Sequence, residues 1–194
     1  MFDLDCVNVN SLQEAQSKLI YREMMDTPPP PRVTRVQPDL PWDSVWPRLE
    51  VPSLDPLAVD LHFSLLHDLL PVRATLHHLR MPEAPSPDCL VCRPPAPPET
   101  SLHFFTQCSR VSAAWHFLFF KATMALGVAL TDTSLLHLAW PPTTARVDAS
   151  VTLAVITFTH WAWASRGQPG VLAPPELQAR VREAASGSLF LTIL

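Results

Sequence analysis

The apolar positions of the chain fall into helical spacing over most of its length. In residues 56–70, Leu57, Leu61, Leu65, Leu66, Leu69 and Leu70 repeat as one broad face, the three-to-four interval of an amphipathic helix. Asp55 and Pro56 supply its start, an acceptor for orphan amides followed by a residue that needs no donor. Pro71 is expected to end that helix at Leu70 and to open a shorter one carrying Val72, Leu76 and Leu79. After Cys108, Val111, Trp115, Leu118, Ala122 and Leu126 mark a core helix, with Ser109 as its N-cap and Gly127 as its stop. Trp115 lies in the middle of that stripe, so it reads as core rather than as a platform for a base.

Residues 148–165 are apolar on nearly all sides. The run falls short of the roughly 20 residues a membrane span needs and contains His160, so a buried helix is predicted, its β-branched content leaving a strand open. Two flanking stretches complete the pattern. Residues 11–25 place Ser11 and Glu14 in capping-box spacing, with Leu12, Ala15 and Leu19 on one stripe, an amphipathic helix that packs on the domain or docks a protein partner. Residues 174–185 form a short capped helix, and the apolar LFLTIL after it is what the end of a truncated domain would present.

Composition changes this picture in one respect. The 194 residues include 22 prolines and only 4 glycines, which favours short helices joined by stiff extended connections. The tract TPPPPRVTRVQPDLPW is such a spacer, and Trp42, Val45, Trp46 and Leu49 are expected to dock its end on the core. The predicted fold is therefore mainly α, a small helical domain with a proline-rich N-terminal linker. Its parts are residues 1–41 (amphipathic helix and linker), 42–127 (core domain) and 128–194 (helical extension).

The chemistry concentrates in CLVCRPPAPPETSLHFFTQC. Cys89, Cys92, His103 and Cys108 make a complete first shell for one tetrahedral Zn2+, a CxxC turn bringing two sulfurs to the ion and a later pair closing it. A CCHC set of this kind is a closed, structural knuckle with no open position for water. Residues five apart on an unbroken α-helix are rotated by about 140°, so the backbone must be interrupted between His103 and Cys108, with a short helix opening near Glu99 and Thr100 and a break near Gln107. With four ligands already present, His62, His67, His77 and His78 are expected to be solvated or capping residues. A disulfide framework is the competing reading. It leaves Cys6 in an awkward pairing with three clustered cysteines, and no secretory signal is legible at the N-terminus.

These residues carry a resemblance. Leu70, Pro71 and Arg73, then Cys89 and Cys92, Glu99 and Thr100, His103, Cys108 and Trp115 stand where matching positions stand in the zinc-binding domain C-terminal to the reverse transcriptase of non-LTR retrotransposons. The similarity spans residues 46–120, and Trp161, Trp163 and Arg166 look like the helix that often follows in that family. The chain departs from it at Arg93 and PPAPP, where the family more often has a small residue and a shorter loop. The resemblance implies a non-catalytic zinc module that helps hold RNA or DNA near a polymerase.

Charge bears on that expectation. The formal net charge is -4, so any nucleic-acid contact is weak unless basic groups gather on one face. The candidates are Arg73, Arg80, Arg93, Arg110 and Lys121, against Glu83, Asp88 and Glu99 in the same stretch. No enzyme is expected. The chain has no adjacent Asp-Asp for a two-metal polymerase site and no GxxxxGK[ST], HExxH or GxSxG motif, and Asp39, Asp60, Asp68 and Asp132 read as solvated acids. Thiolate ligands imply a reducing compartment, cytoplasm or nucleus. A protein-interaction domain or an inactive retroelement fragment is the alternative.

Overall fold

The computed structural model describes residues 42–51, 54–168 and 170–185. The expected helix at 11–25, the proline tract as far as Pro41 and the apolar hexamer at the C-terminus lie outside them. The described residues are helical, with no strand among them.

A 3-10 turn at Trp42–Ser44 leads into α1 (Val45–Leu49), followed by α2 (Pro56–Leu66), α3 (Arg73–His78), a π-helical turn at His103–Gln107, α4 (Ser112–Leu126), α5 (Asp132–Leu136), α6 (Ala145–Ala164) and α7 (Pro174–Ala185). Helix α6 is the centre. Every residue from Ser150 to Ile156 is buried, with Phe158, Thr159, Trp161 and Ala162 beyond, because α1, α2, α4 and α7 all pack against it. A segment apolar all round is stable only when covered all round. The strand alternative for 148–165 is thus replaced by a helix, and no described helix is long and apolar enough to cross a membrane.

Helix α2 starts as its sequence predicts, Asp55 accepting from the Leu57 amide with Pro56 in the first turn. It stops four residues earlier than expected. Asp68 turns left-handed at φ 55°, and the amides of Asp68 and Leu69 bond back to the carbonyls of Leu65 and Ser64. That is a Schellman motif, and it ends the helix before Pro71 is reached. The expected leucine face is narrowed in consequence: Leu65, Leu66 and Leu70 are buried, whereas Leu57 and Leu69 are 68% and 65% exposed. In the short helix Val72 is buried and Leu79 is exposed.

Helix α4 buries Val111, Trp115, Leu118, Ala122 and Leu126 as the stripe predicts, and Gly127 caps it at φ 64°. Trp115 is fully buried and donates its indole N–H to Asp132 Oδ1 at 2.7 Å, a core role. Ser109 is not the N-cap. The helix begins at Ser112 after Val111, because the Val111 and Ser112 amides both bond to the Cys108 carbonyl and spend the intervening residues in a turn.

His62 also departs from expectation. It is fully buried under α6, its Nδ1 3.4 Å from Thr159 Oγ1. The threonine proton goes to the Ile156 carbonyl, so the ring donates. His67 is half-buried, while His77 and His78 are exposed.

An unanticipated polar cluster fastens α1 to α6. Arg48 is 3% exposed and donates to Asp148 Oδ2 at 2.8 and 3.1 Å and to the carbonyls of Leu138 and Trp140. The other Asp148 oxygen accepts from the Trp140 indole and the Thr143 hydroxyl. Each guanidinium nitrogen of Arg48 meets an acceptor, which is the condition for tolerating such charges inside a core.

Candidate metal centre

The cluster is assembled from one hairpin and one irregular helix. Residues 87–99 close on themselves: the Cys89 amide donates to the Pro97 carbonyl and the Glu99 amide to the Pro87 carbonyl, at 2.9 and 2.8 Å, around a single antiparallel bridge between Asp88 and Pro98. Prolines serve here only as acceptors, having no N–H to give. The tip, between the two cysteines, points outward, with Leu90 78% and Val91 50% exposed.

Across from it, Thr100 caps the next segment, its hydroxyl accepting from the His103 amide at 3.1 Å. The backbone then widens into a π turn, the Cys108 amide bonding to the His103 carbonyl five residues back at 2.8 Å. This is the interruption that the His103–Cys108 spacing demands. A five-residue closure places Cys108 over His103, where an α-helix would rotate it away, and Cys108 leaves in extended conformation at φ -59°, ψ 132°.

As a result Cys89, Cys92, His103 and Cys108 bring one ligand atom each to within 4.8 Å of one another. Cys89 Sγ lies 3.8 Å from Cys108 Sγ, Cys92 Sγ 4.0 Å from Cys108 Sγ, and Cys92 Sγ 3.5 Å from His103 Nε2. Tetrahedral zinc with thiolates at roughly 2.3 Å and imidazole at roughly 2.0–2.1 Å would set sulfurs about 3.8 Å apart and sulfur and nitrogen about 3.6 Å apart. The three described cysteines are free thiols, far outside the roughly 2.05 Å of a disulfide. Cys6 lies outside the described residues.

The electrostatics suit a cation. Burial opposes ionisation of Cys92, but the Ser109 amide and hydroxyl and the neighbouring Cys89 and Cys108 thiols outweigh it and hold Cys92 below its ordinary value. Burial, aided by charge on Cys89 and Cys92, pushes Cys108 up to about 12 against the pull of the Arg110 amide. Ionisation of Cys108 in this setting is favoured by a positive ion. Burial lowers His103, partly countered by Glu99, leaving the neutral ring a metal requires. Its Nδ1 is buried with no protein partner.

Glu99 is the hub that ties this loop to the core. It is 5% exposed, and its Oε1 accepts from the Arg73 amide at 3.1 Å and from Arg166 at 2.6 Å. Arg166 also reaches the Pro71 carbonyl at 2.8 Å and stacks on Trp163 and Phe104. Arg73 donates to the Ser86 and Asp88 carbonyls at 3.0 and 2.9 Å. Arg110, also buried, donates to the carbonyls of Ser165 and Arg166, satisfying the exposed end of α6. Arg80 and Arg93 are exposed, and Lys121 is half-buried over the Phe117 ring.

Sequence reasoning singled out the four residues that the fold brings together. It missed the amide donors at Ser109 and Arg110 and the structural use of Arg73 and Arg110, since nothing in residue type distinguishes an arginine bound to carbonyls from one facing solvent. Comparison with family models, with curated proteins and with solved structures finds no match.

Proposed function

We propose that the protein is a non-catalytic helical module stapled by one structural zinc ion on Cys89, Cys92, His103 and Cys108. The observation that carries this reading is the match between the sulfur–sulfur and sulfur–nitrogen separations and the edges of a zinc tetrahedron. Zinc is favoured over harder or square-planar ions by three thiolates and one imidazole. Four protein ligands leave no position at which water is activated, so the ion's role is to hold the hairpin, the π turn and the start of α4 together.

Metal analysis of purified protein tests this, with one zinc per chain expected. Structural zinc is worth roughly 10–16 kcal/mol in small domains, more than the whole stability of many folds. Excess chelator, or Cys92→Ser, should therefore remove much of the helical circular dichroism from residues 81–126. A spectrum unchanged by chelation refutes a structural ion.

The role of the staple in this reading is to present a weak RNA or DNA contact, as the retrotransposon resemblance implies. Two features support it. Pro71, Arg73, Trp163 and Arg166, residues of that resemblance, meet around Glu99, and Arg80 and Arg93 are exposed. Gel shifts on single-stranded RNA and duplex DNA should show binding that fades as salt rises, with a shallow slope of about 2–3 phosphates. No shift at low salt rejects the nucleic-acid role and leaves exposed Leu90 and Val91 as a surface for a protein partner.

A further inference from the structure

We propose that Cys92 is a peroxide-reactive modification site through which the cluster releases its ion under oxidation, a reading that rests on the metal assignment above. The cluster is asymmetric. Cys89 and Cys108 are 4% and 3% exposed, whereas Cys92 reaches the surface at the edge of the hairpin tip, beside outward-pointing Val91 and the exposed Ser109, whose Oγ is 3.8 Å from Cys92 Sγ. A small oxidant arriving from solvent meets this sulfur first. Access decides which thiol of a set is oxidised.

A second thiol stands ready to resolve the product. Cys108 Sγ is 4.0 Å from Cys92 Sγ, so closure to the roughly 2.05 Å of a disulfide asks for about 2 Å of movement. Hydrogen peroxide is the oxidant. The Cys92 thiolate attacks one peroxide oxygen, an S–O bond forms as the O–O bond breaks, and the hydroxide that leaves takes a proton from solvent to become water. The Cys108 sulfur then attacks the Cys92 sulfur. The S–S bond forms, the S–O bond breaks, and the departing hydroxide becomes the second water with the Cys108 proton, or a solvent proton if that sulfur was already ionised. Two sulfurs lose one electron each and one peroxide gains two. Only Cys89 and His103 then remain as ligands, half of the shell.

The test uses the full chain loaded with zinc, in a Cys6→Ser background so that the remaining cysteine does not compete. One equivalent of hydrogen peroxide is added while released zinc is followed with a chromogenic chelator, free thiols are counted and the peptides are mapped by mass spectrometry. One zinc is expected to leave for every two thiols lost, with a Cys92–Cys108 disulfide in the map and rebinding after dithiothreitol. Cys92→His, which keeps four ligands, should hold its ion and slow release by about tenfold or more, the exposed thiol being gone. A map in which Cys92 stays reduced while Cys89 or Cys108 is oxidised overturns the proposal, as does release from Cys92→His at the parental rate. Zinc that is bound but not released by peroxide refutes the proposal alone, whereas a chain that takes up no zinc refutes the metal assignment with it.

Discussion

His62 and His137 are buried histidines whose rings must stay neutral. Burial, with His137 nearby, lowers His62 to about 3, and burial lowers His137 to about 4 despite its bond to the Thr133 carbonyl. Both values lie below the ordinary 6.5, so the unfolded chain binds these protons more readily than the folded one. The stability they permit is complete above pH 6.5 and is lost as the pH falls from there towards 4, at about 1.4 kcal/mol per pH unit for each ring. Urea midpoints between pH 6.5 and 5 should follow that slope, and His62→Gln should reduce its steepness by about half. An unchanged slope would mean that the ring gains a proton without unfolding. Nothing in the sequence marks His62, because a histidine on the edge of a leucine stripe has the same local pattern whether it faces solvent or the underside of another helix.

The helices show how a chain with 4 glycines stops its segments. Asp68, Arg80 and Leu138 each take a left-handed conformation just past α2, α3 and α5, at φ 55°, 56° and 58°, and each carries the paired amide bonds of a Schellman motif. Side chains other than glycine pay roughly 1–2 kcal/mol for that backbone, which a glycine avoids at some cost in unfolded-state entropy. Arg80→Gly should consequently raise stability by about 0.5–1 kcal/mol while removing one basic group, and paired thermal melts and gel shifts separate the two effects. Some boundaries were legible: Asp55 and Pro56 start α2 and Gly127 stops α4 as their chemistry dictates, whereas Ser109 marked a start too early. The ends stopped without glycine were less so, since a left-handed aspartate or arginine leaves no compositional trace, and Pro71 drew the boundary four residues too late. The π turn at His103–Gln107 was legible only as a necessity of spacing. The short helix α5, capped by Thr131 and Ser134, and the Arg48–Asp148 pair belong to a region where periodicity was too brief to read.

At the scale of the whole molecule, the cluster is anchored to the core through Glu99 and Arg166, residues 67 apart in sequence. Partners one shell away from a metal commonly change its affinity by about 10–100-fold. Arg166 acts one step further out, through Glu99, whose charge bears on His103, so Arg166→Ala should weaken zinc binding by about tenfold at most in a competition against a chromogenic chelator, with bulk helicity retained. Equal affinity would reduce the contact to a surface ornament. The cysteine and histidine pattern predicted the four atoms that meet, because ligand chemistry is a property of residue type. It carried no information about the arginine at the end of α6 that meets Glu99 beside them, which is a property of how the helices pack.

With the proposed ion on the four residues, that arginine would make the ion and the central helix thermodynamically reciprocal. Whatever factor α6 contributes to cation affinity through Glu99, the cation must return to the docking of α6. A lesion deep in the helical core, such as one at Phe158, would then be felt as a leaky site some distance away, and loss of the proposed ion would be felt as a loosened interior.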